Sequence, residues 1–485
     1  MKKYILNPKY LLRHEGDKTY IMGDPNVRGR SIISVIHPIY AMMLSFFNGI
    51  ELEEAFDKIS SFLHLPKDVV KKRLMTLVDN QEIVTDGTSM FPKKLIVDYK
   101  ESMPLHSYRP EQFSYSKTDI RISRLQSPSD IICNVTMRCR TSCFYCYADR
   151  KGNSDKYMSI ELLEKIIEEA KRIGVLRFQL MGGEVLLYKD WERALRKLAE
   201  CGYSPWISTK MPLTEKHISI MKDLNFISPV QISLDTLIKD NLYAILNVSD
   251  PYYEQILYTF ELLEKYKLEY IVHTVLNKKN ATIEDMKSLV DFLKSKRSLS
   301  GWDINAAKCS MYIGTCYNSY RAPDDKIKEV ANYILGLKKE KVFNFDVVEP
   351  SVLKDINTYS KEEKKRIFNK RNLCSGNLNA LYILPDGQVT ICEELYWHSR
   401  FLLGDLHTQS LEEIWKSKKA KDLFFLKQSD IQEASACKTC EDFAKCREYL
   451  HFCWRDVILA YGKENWDYPG IFCPKAPRTN KDVFV

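Results

Sequence analysis

The stretch Asp130-Ile131-Ile132-Cys133-Asn134-Val135-Thr136, followed at once by Met137-Arg138-Cys139-Arg140-Thr141-Ser142-Cys143-Phe144-Tyr145-Cys146, decides how this chain is read. The first seven residues are mostly apolar and β-branched, as a buried strand requires. They deliver the backbone to three thiols spaced C-x3-C-x2-C in the loop that follows. Three is the informative number. A closed structural zinc site takes four ligands, whereas a four-iron cubane held by three thiolates leaves one iron free for a small molecule.

Downstream of that loop, short apolar runs alternate with amphipathic helical patterns, the order of parallel βα units. Strands are expected at 130–136, 177–181, 204–209, 229–234, 269–276 and 301–305, which predicts an α/β domain built as a partial (β/α)6 TIM-like barrel over 128–340. Met181-Gly182-Gly183-Glu184 ends the second strand, Ile207-Ser208-Thr209 the third and Ile232-Ser233-Leu234-Asp235 the fourth. All of these lie at C-terminal strand ends, where barrel sites are built. The glycines admit close approach of backbone carbonyls, and a carboxylate accepts a hydrogen bond from an ammonium. Ser208 and Ser233 read equally well as strand-end or helix-capping hydroxyls.

The cysteine loop, with Tyr145 inside it and a strand in front, resembles the radical S-adenosylmethionine superfamily. The resemblance implies that Cys139, Cys143 and Cys146 hold a 4Fe-4S cluster whose open iron takes the amino and carboxylate groups of S-adenosyl-L-methionine. It implies that Gly182, Gly183 and Glu184 receive the methionyl amine, and that Ser208, Ser233 and Asp235 contact the methionyl and ribose groups. Reductive cleavage of the cofactor would then give a 5′-deoxyadenosyl radical that abstracts hydrogen from a substrate. Lys210-Met211 stands where the family often has Asn-Gly, so the shape of that loop departs from the pattern.

The remaining cysteines concentrate near the end: Cys374, then Gly387 and Cys392 across a Pro385-Asp386-Gly387 turn, then Cys437, Cys440, Cys446, Cys453 and Cys473. This order resembles the SPASM extension of radical S-adenosylmethionine enzymes. The resemblance implies two auxiliary iron-sulfur clusters, one on Cys374, Cys392 and Cys453 and one on Cys437, Cys440, Cys446 and Cys473. Six residues separate Cys446 from Cys453 where three are usual. The fourth ligand of the first set is left open among Cys309, Cys316, a substrate thiol or none. Paired structural zinc sites are the alternative chemistry for C-x2-C. Glu393 lies where related sulfatase-maturating enzymes carry an acidic residue proposed as a base, and is a candidate catalytic base; a solvated carboxylate is the ordinary reading. Cys133 and Cys201 read as inert core cysteines.

Before the barrel, strands at 10–13 and 19–22 flank a His14-Glu15-Gly16-Asp17 turn, and helical patterns follow at 39–47, 51–63 and 67–80. A hairpin with three helices predicts a winged-helix-like module over 1–100. It resembles the PqqD-like peptide-recognition element of ribosomal-peptide maturases, which implies a precursor peptide whose leader adds a strand to the hairpin edge. The competing reading is a DNA-binding winged helix. Residues 101–127 read as a linker, 341–372 as a bridge and 373–485 as the cysteine-rich SPASM domain.

With 45% hydrophobic and 28% charged residues among 485, the composition is that of a globular protein of several cores. A net charge of +8 over 72 basic and 64 acidic residues, without a basic stripe, gives no nucleic-acid footprint. Neither a bilayer-spanning apolar run nor a secretory signal is visible, so a cytoplasmic protein without membrane partners is expected. The expected function is maturation of a ribosomally synthesised peptide by a side-chain cross-link, thioether or carbon-carbon, with a reducing electron donor. Single-residue oxidation or epimerisation, and a catalytically silent peptide-binding protein, are the alternatives.

Overall fold

A computed structural model describes all residues except 1, 27–28, 30, 86–87, 149–154, 313–316, 372, 450–452, 480, 482 and 485. The chain divides into two compact units, Met1–Gln126 and Ser127–Val485.

In the first unit, β1 (Lys3–Leu6), β2 (Tyr10–His14), β3 (Thr19–Gly23), β4 (Ile32–Ile36) and β5 (Asn48–Glu51) precede β6 (Ile83–Thr85), β7 (Thr88–Phe91) and β8 (Ile96–Asp98). The expected hairpin is β2–β3, with Leu12 opposite Ile21, and β4 extends it to an antiparallel meander. Helices run Pro38–Leu44, Leu52–Leu63 and Lys67–Met75. The third was expected to reach Asn80. It ends earlier because Asp79 turns left-handed at φ 47° and Asn80 is a buried pin, accepting from Leu95 N (2.9 Å) and donating to Pro92 O (2.8 Å). That pin closes the β6–β7 wing, which sequence patterning missed. The stretch read as a linker packs onto this unit: His106 Nε2 donates to Phe47 O (2.8 Å), Leu12 N to the Tyr108 hydroxyl (2.9 Å), and Phe113 is buried.

The second unit is the expected mixed α/β partial barrel. Its strands β9 (Asp130–Thr136), β10 (Arg177–Gly182), β11 (Ser208–Thr209), β12 (Val230–Ser233), β13 (Tyr270–Leu276) and β14 (Leu299–Ala306) follow the predicted order. A seventh, β15 (Asp346–Val348), lies in the stretch read as a bridge and pairs parallel with β14. Helices between the strands bury one stripe each; the helix Ile160–Arg172 is capped by Ser159 and buries Leu163, Ile166, Ile167 and Ala170. The strand expected at 204–209 shrinks to two residues, since Pro205 brings no N–H to a ladder.

Two sheets result, β10-β9-β16-β17-β18 and β11-β12-β13-β14-β15. The first holds the main surprise. Across the Pro385-Asp386-Gly387 turn β16 (Ala380–Ile383) and β17 (Gln388–Thr390) form a hairpin that β18 (Leu402–Asp405) continues, and β16 lies parallel to β9 with Ala380 opposite Asp130 and Ile383 opposite Cys133. The cysteine-rich region is thus built onto the first barrel strand. Asn379 clamps this junction, its Nδ2 donating to Asp130 Oδ2 (2.9 Å) and its carbonyl accepting from Ser129 N (2.8 Å). Among the described residues no helix is long and apolar enough to cross a membrane.

Candidate active site

At the C-terminal strand ends of the second unit lies a cavity of about 560 Å³. Cys139, Cys143 and Cys146 line it together with Gly182, Gly183, Glu184, Ser208 and Ser233. The Thr141 hydroxyl sits between two of the thiols, 3.4 Å from Cys139 Sγ and 3.3 Å from Cys143 Sγ. Burial pushes the Cys143 thiol up to about 11, with the Lys210 cation working against that rise. Ser208 accepts from Gln231 Nε2 at 2.6 Å, and both line the cavity. Cys133 is fully buried with its thiol 3.7 Å from Met158 Sδ, and Cys201 ends the helix Trp191–Glu200.

The two glycines are dictated by the cysteine loop. A Cβ on Gly182 would stand 2.1 Å from Thr136 O, and one on Gly183 would stand 2.4 Å from the carbonyl oxygens of both Met137 and Arg138. Gly183 N donates to Thr136 O at 2.9 Å. The end of β10 is therefore pressed against the backbone that leads into Cys139.

The two motif carboxylates have protein partners of their own. Glu184 lines the cavity, but its oxygens are already engaged: it accepts from Thr209 Oγ1 (2.8 Å), Lys210 N (3.2 Å), Met211 N (3.3 Å) and Leu186 N (3.3 Å). Burial raises its pKa in spite of these four bonds. Asp235, expected at the cofactor, is buried behind the lining; its carboxylate accepts from the Tyr145 hydroxyl (2.5 Å), Lys210 Nζ (3.2 Å) and Val275 N (3.0 Å). Both acids converge on Lys210, which lines the cavity with its ammonium 5.5 Å from the Tyr145 ring centroid. Burial works to discharge Lys210, and Asp235 with the Cys143 thiol outweighs it, so its pKa is raised. The departure at Lys210-Met211 thus sets a cation against Asp235 and the cysteine loop, while its backbone N–H meets Glu184.

The C-terminal cysteines fall into two electrostatic neighbourhoods. Cys374 and Cys392 act on Cys453, whose thiol burial pushes well up, and Cys374 acts on Cys392. Cys437, Cys440 and Cys446 act on Cys473. Cys316 lies outside the described residues. The carbonyl of Cys309 accepts from Arg455, two residues beyond Cys453. Glu393 is not a solvated carboxylate. It faces the cavity, and burial, above all, lifts it to about 7 while hydrogen bonds from Tyr147 and Asn134 pull the other way.

Comparison with known proteins agrees with this geometry. Residues 133–293 match the radical SAM superfamily, and residues 374–441 match the iron-sulfur cluster-binding domain named SPASM. The chain carries a radical SAM domain. A probable GTP 3′,8-cyclase of Pyrococcus horikoshii is 28% identical over 173 residues, 34% of this chain and 51% of that protein. One of Methanothermobacter marburgensis is 34% identical over 118 residues, 24% of this chain and 38% of that one. The chain therefore spans about half or less of the length of these relatives. Streptococcus suis SuiB bound to S-adenosylmethionine shares the fold at TM-score 0.62 and 16% identity, covering 96% of this chain and 98% of SuiB. SuiB bound to its precursor peptide SuiA gives TM-score 0.60 and 14% identity with the same coverage.

In this domain the donor set fits an iron-sulfur group: three thiols on one loop line a cavity wide enough for a cluster and a small molecule. Among the described residues no three His, Cys, Asp or Glu side chains converge as they would on a single metal ion. The SPASM match likewise favours iron and sulfur over zinc at the C-terminal sets. Sequence patterning missed His273, Asn305, Lys308, Glu394 and Arg455, which also line the cavity. His273 lies midway along β13, Asn305 near the end of β14 and Lys308 just beyond it, with Glu394 and Arg455 after Cys392 and Cys453, and none has a motif of its own. Only the rule that functional side chains gather at C-terminal strand ends could have flagged Asn305.

Proposed function

We propose that this chain is a maturase that cleaves S-adenosylmethionine reductively and installs a side-chain cross-link in a ribosomally made peptide, with thioether formation favoured over carbon-carbon bonding. The carrying observation is that one cavity is lined both by the Cys139-Cys143-Cys146 loop and by Glu393, Glu394 and Arg455 of the SPASM region. When bound at the three thiols, an iron-sulfur cluster with S-adenosylmethionine supplies the 5′-deoxyadenosyl radical. Around it Gly182 and Gly183 offer backbone, Ser208 and Ser233 offer hydroxyls, and Glu184 and Asp235 hold Lys210 in place. Auxiliary iron-sulfur groups would be held by Cys374, Cys392 and Cys453 and by Cys437, Cys440, Cys446 and Cys473.

Joining a C–H carbon to a thiol sulfur removes one hydrogen atom, one proton and one electron from the peptide. Glu393 is the chain's group for the proton: it faces the cavity and holds its own proton up to about pH 7, which suits a base working near neutrality. The first unit supplies a leader-binding strand edge at its meander. That SuiB was crystallised with a precursor peptide supports the peptide reading.

The test is anaerobic reconstitution with iron and sulfide, then dithionite and S-adenosylmethionine, assaying 5′-deoxyadenosine in the wild type and in Cys143→Ala. Formation by the wild type alone supports the reading; candidate peptides losing two hydrogens in mass would support the cross-link, whereas an unchanged mass with solvent deuterium uptake would indicate epimerisation. A fully iron-loaded wild type that forms no 5′-deoxyadenosine, with or without peptide, would overturn the enzymatic reading in favour of a silent peptide-binding protein.

A further inference from the structure

The two C-terminal cysteine sets differ in the charge around them. Each thiol of the four-cysteine set accepts one N–H. Arg371 Nη2 donates to Cys446 Sγ (3.0 Å), Lys475 Nζ to Cys440 Sγ (3.3 Å), Lys475 N to Cys473 Sγ (3.4 Å) and Arg447 Nη2 to Cys437 Sγ (3.8 Å). Three of the four donors are cationic. The arginines are held there by other contacts: Arg371 Nη1 donates to Phe368 O at 2.5 Å with the guanidinium 3.5 Å over the Phe368 ring, and Arg447 lies 5.4 Å from the Trp454 ring centroid.

The three-cysteine set has neutral donors instead: Cys374, Cys392 and Cys453 accept from the backbone N–H groups of Gly376, Glu394 and Asp456. Asp456 acts on Cys374 and Cys453, and Glu393 and Glu394 act on Cys392. Arg455 pairs with Glu394 (2.8 Å) and Asp456 (2.9 Å), and Lys308 acts on Glu394 as well, so both of these cations face carboxylates. On the other side Asp467 acts on Arg447, and Glu441 and Asp442 act on Lys475.

An iron-sulfur group that takes an electron becomes more negative. Cations and N–H donors aimed at its sulfurs stabilise the reduced form, and nearby carboxylates oppose it. We propose that Arg371, Arg447 and Lys475 make the four-cysteine site the electron-accepting end of the SPASM region, with a reduction potential above that of the Cys374-Cys392-Cys453 site. Since Glu393 and Glu394 line the cavity beside Cys392, the electron released by the peptide would reduce the inner group by one and then pass outward, returning the inner group to its oxidised state and reducing the outer by one. The inference rests on the reading that both sets hold iron-sulfur groups.

The test uses the full chain carrying Cys139→Ala, Cys143→Ala and Cys146→Ala, so that only the SPASM groups respond, with iron counts and potentiometry followed by electron paramagnetic resonance. Two separated waves are expected. Lys475→Gln, at an exposed side chain, and Arg371→Gln each lower the upper wave, so that at its original midpoint the reduced-to-oxidised ratio falls several-fold, tenfold corresponding to 59 mV for one electron. The lower wave stays, and Arg371→Lys retains the original potential. Iron-loaded variants whose upper wave does not move, or whose two waves fall equally, overturn the proposal. Should Arg371→Gln fail to load iron, Lys475→Gln decides by itself. An iron count that does not drop on Cys440→Ala would instead refute the iron-sulfur reading of this set, leaving the charge argument without its object.

Discussion

Replacing Gly183 with alanine places a Cβ 2.4 Å from the carbonyl oxygens of Met137 and Arg138 and 2.7 Å from the Met137 carbonyl carbon. Carbon and oxygen in contact need about 3.3 Å, so something must move by roughly 0.9 Å. The clashing atoms are backbone, and no side-chain rotation relieves them. Either β10 lifts from β9, stretching the 2.9 Å Gly183 N–Thr136 O bond beyond hydrogen-bond range, or the backbone leading into Cys139 shifts. Overpacking costs about 1–3 kcal/mol and the lost bond about 1 kcal/mol, together about 3 kcal/mol. At roughly 2.1 cal/mol/K per residue, a unit of this size then melts about 4 °C lower. The assay is differential scanning calorimetry with iron analysis, counting iron beyond that held by a chain with Cys139, Cys143 and Cys146 all replaced by alanine. Gly183→Ala is expected to lose most of that excess and keep the SPASM iron. Gly336→Ala is the control: it lies within the helix Asp324–Lys339 with nothing within 4 Å of the added carbon, and should stabilise by about 1 kcal/mol. Full excess iron and an unchanged melt in Gly183→Ala would refute the close-approach argument.

Lys210→Met strands the buried Asp235 charge and should destabilise by about 3–5 kcal/mol, most of it recovered in the double variant with Asp235→Asn, as denaturant midpoints would report. Burial raises the Glu184 pKa, so the unfolded chain ionises first. Its contribution to stability is therefore flat below the ordinary carboxylate value near 4.5 and falls as pH rises above it until the folded carboxyl ionises. Glu184→Gln should remove that fall, making the variant-to-wild-type difference in denaturant midpoint shift in the variant's favour between pH 4.5 and 7. Cys133→Ala should leave iron content and 5′-deoxyadenosine formation unchanged while costing about 1 kcal/mol or less in stability, because its thiol only packs in the core.

The sequence by itself determined the chemistry and the strand order. Thiol spacing is a local property: three cysteines within eight residues, or Cys437 and Cys440 within four, declare a ligand set wherever the loop goes. Strand positions were legible because a buried parallel strand needs a continuous apolar run, as in β9 and β13. The division of the C-terminal cysteines into two sets came from the resemblance to SPASM and not from their spacing. Only the tertiary structure decided what the acids do, because a carboxylate's role is set by the donors that reach it from distant elements. Glu184 and Asp235 look alike to a motif, yet one pins the loop after β11 and the other sits behind the lining, and both hold Lys210. Glu393 looked like surface until β16 paired with β9 and turned its loop into the cavity. The cations around the outer cysteines come from positions as far apart as 371, 447 and 475, a separation across which no local pattern carries information and only folding brings charge to sulfur.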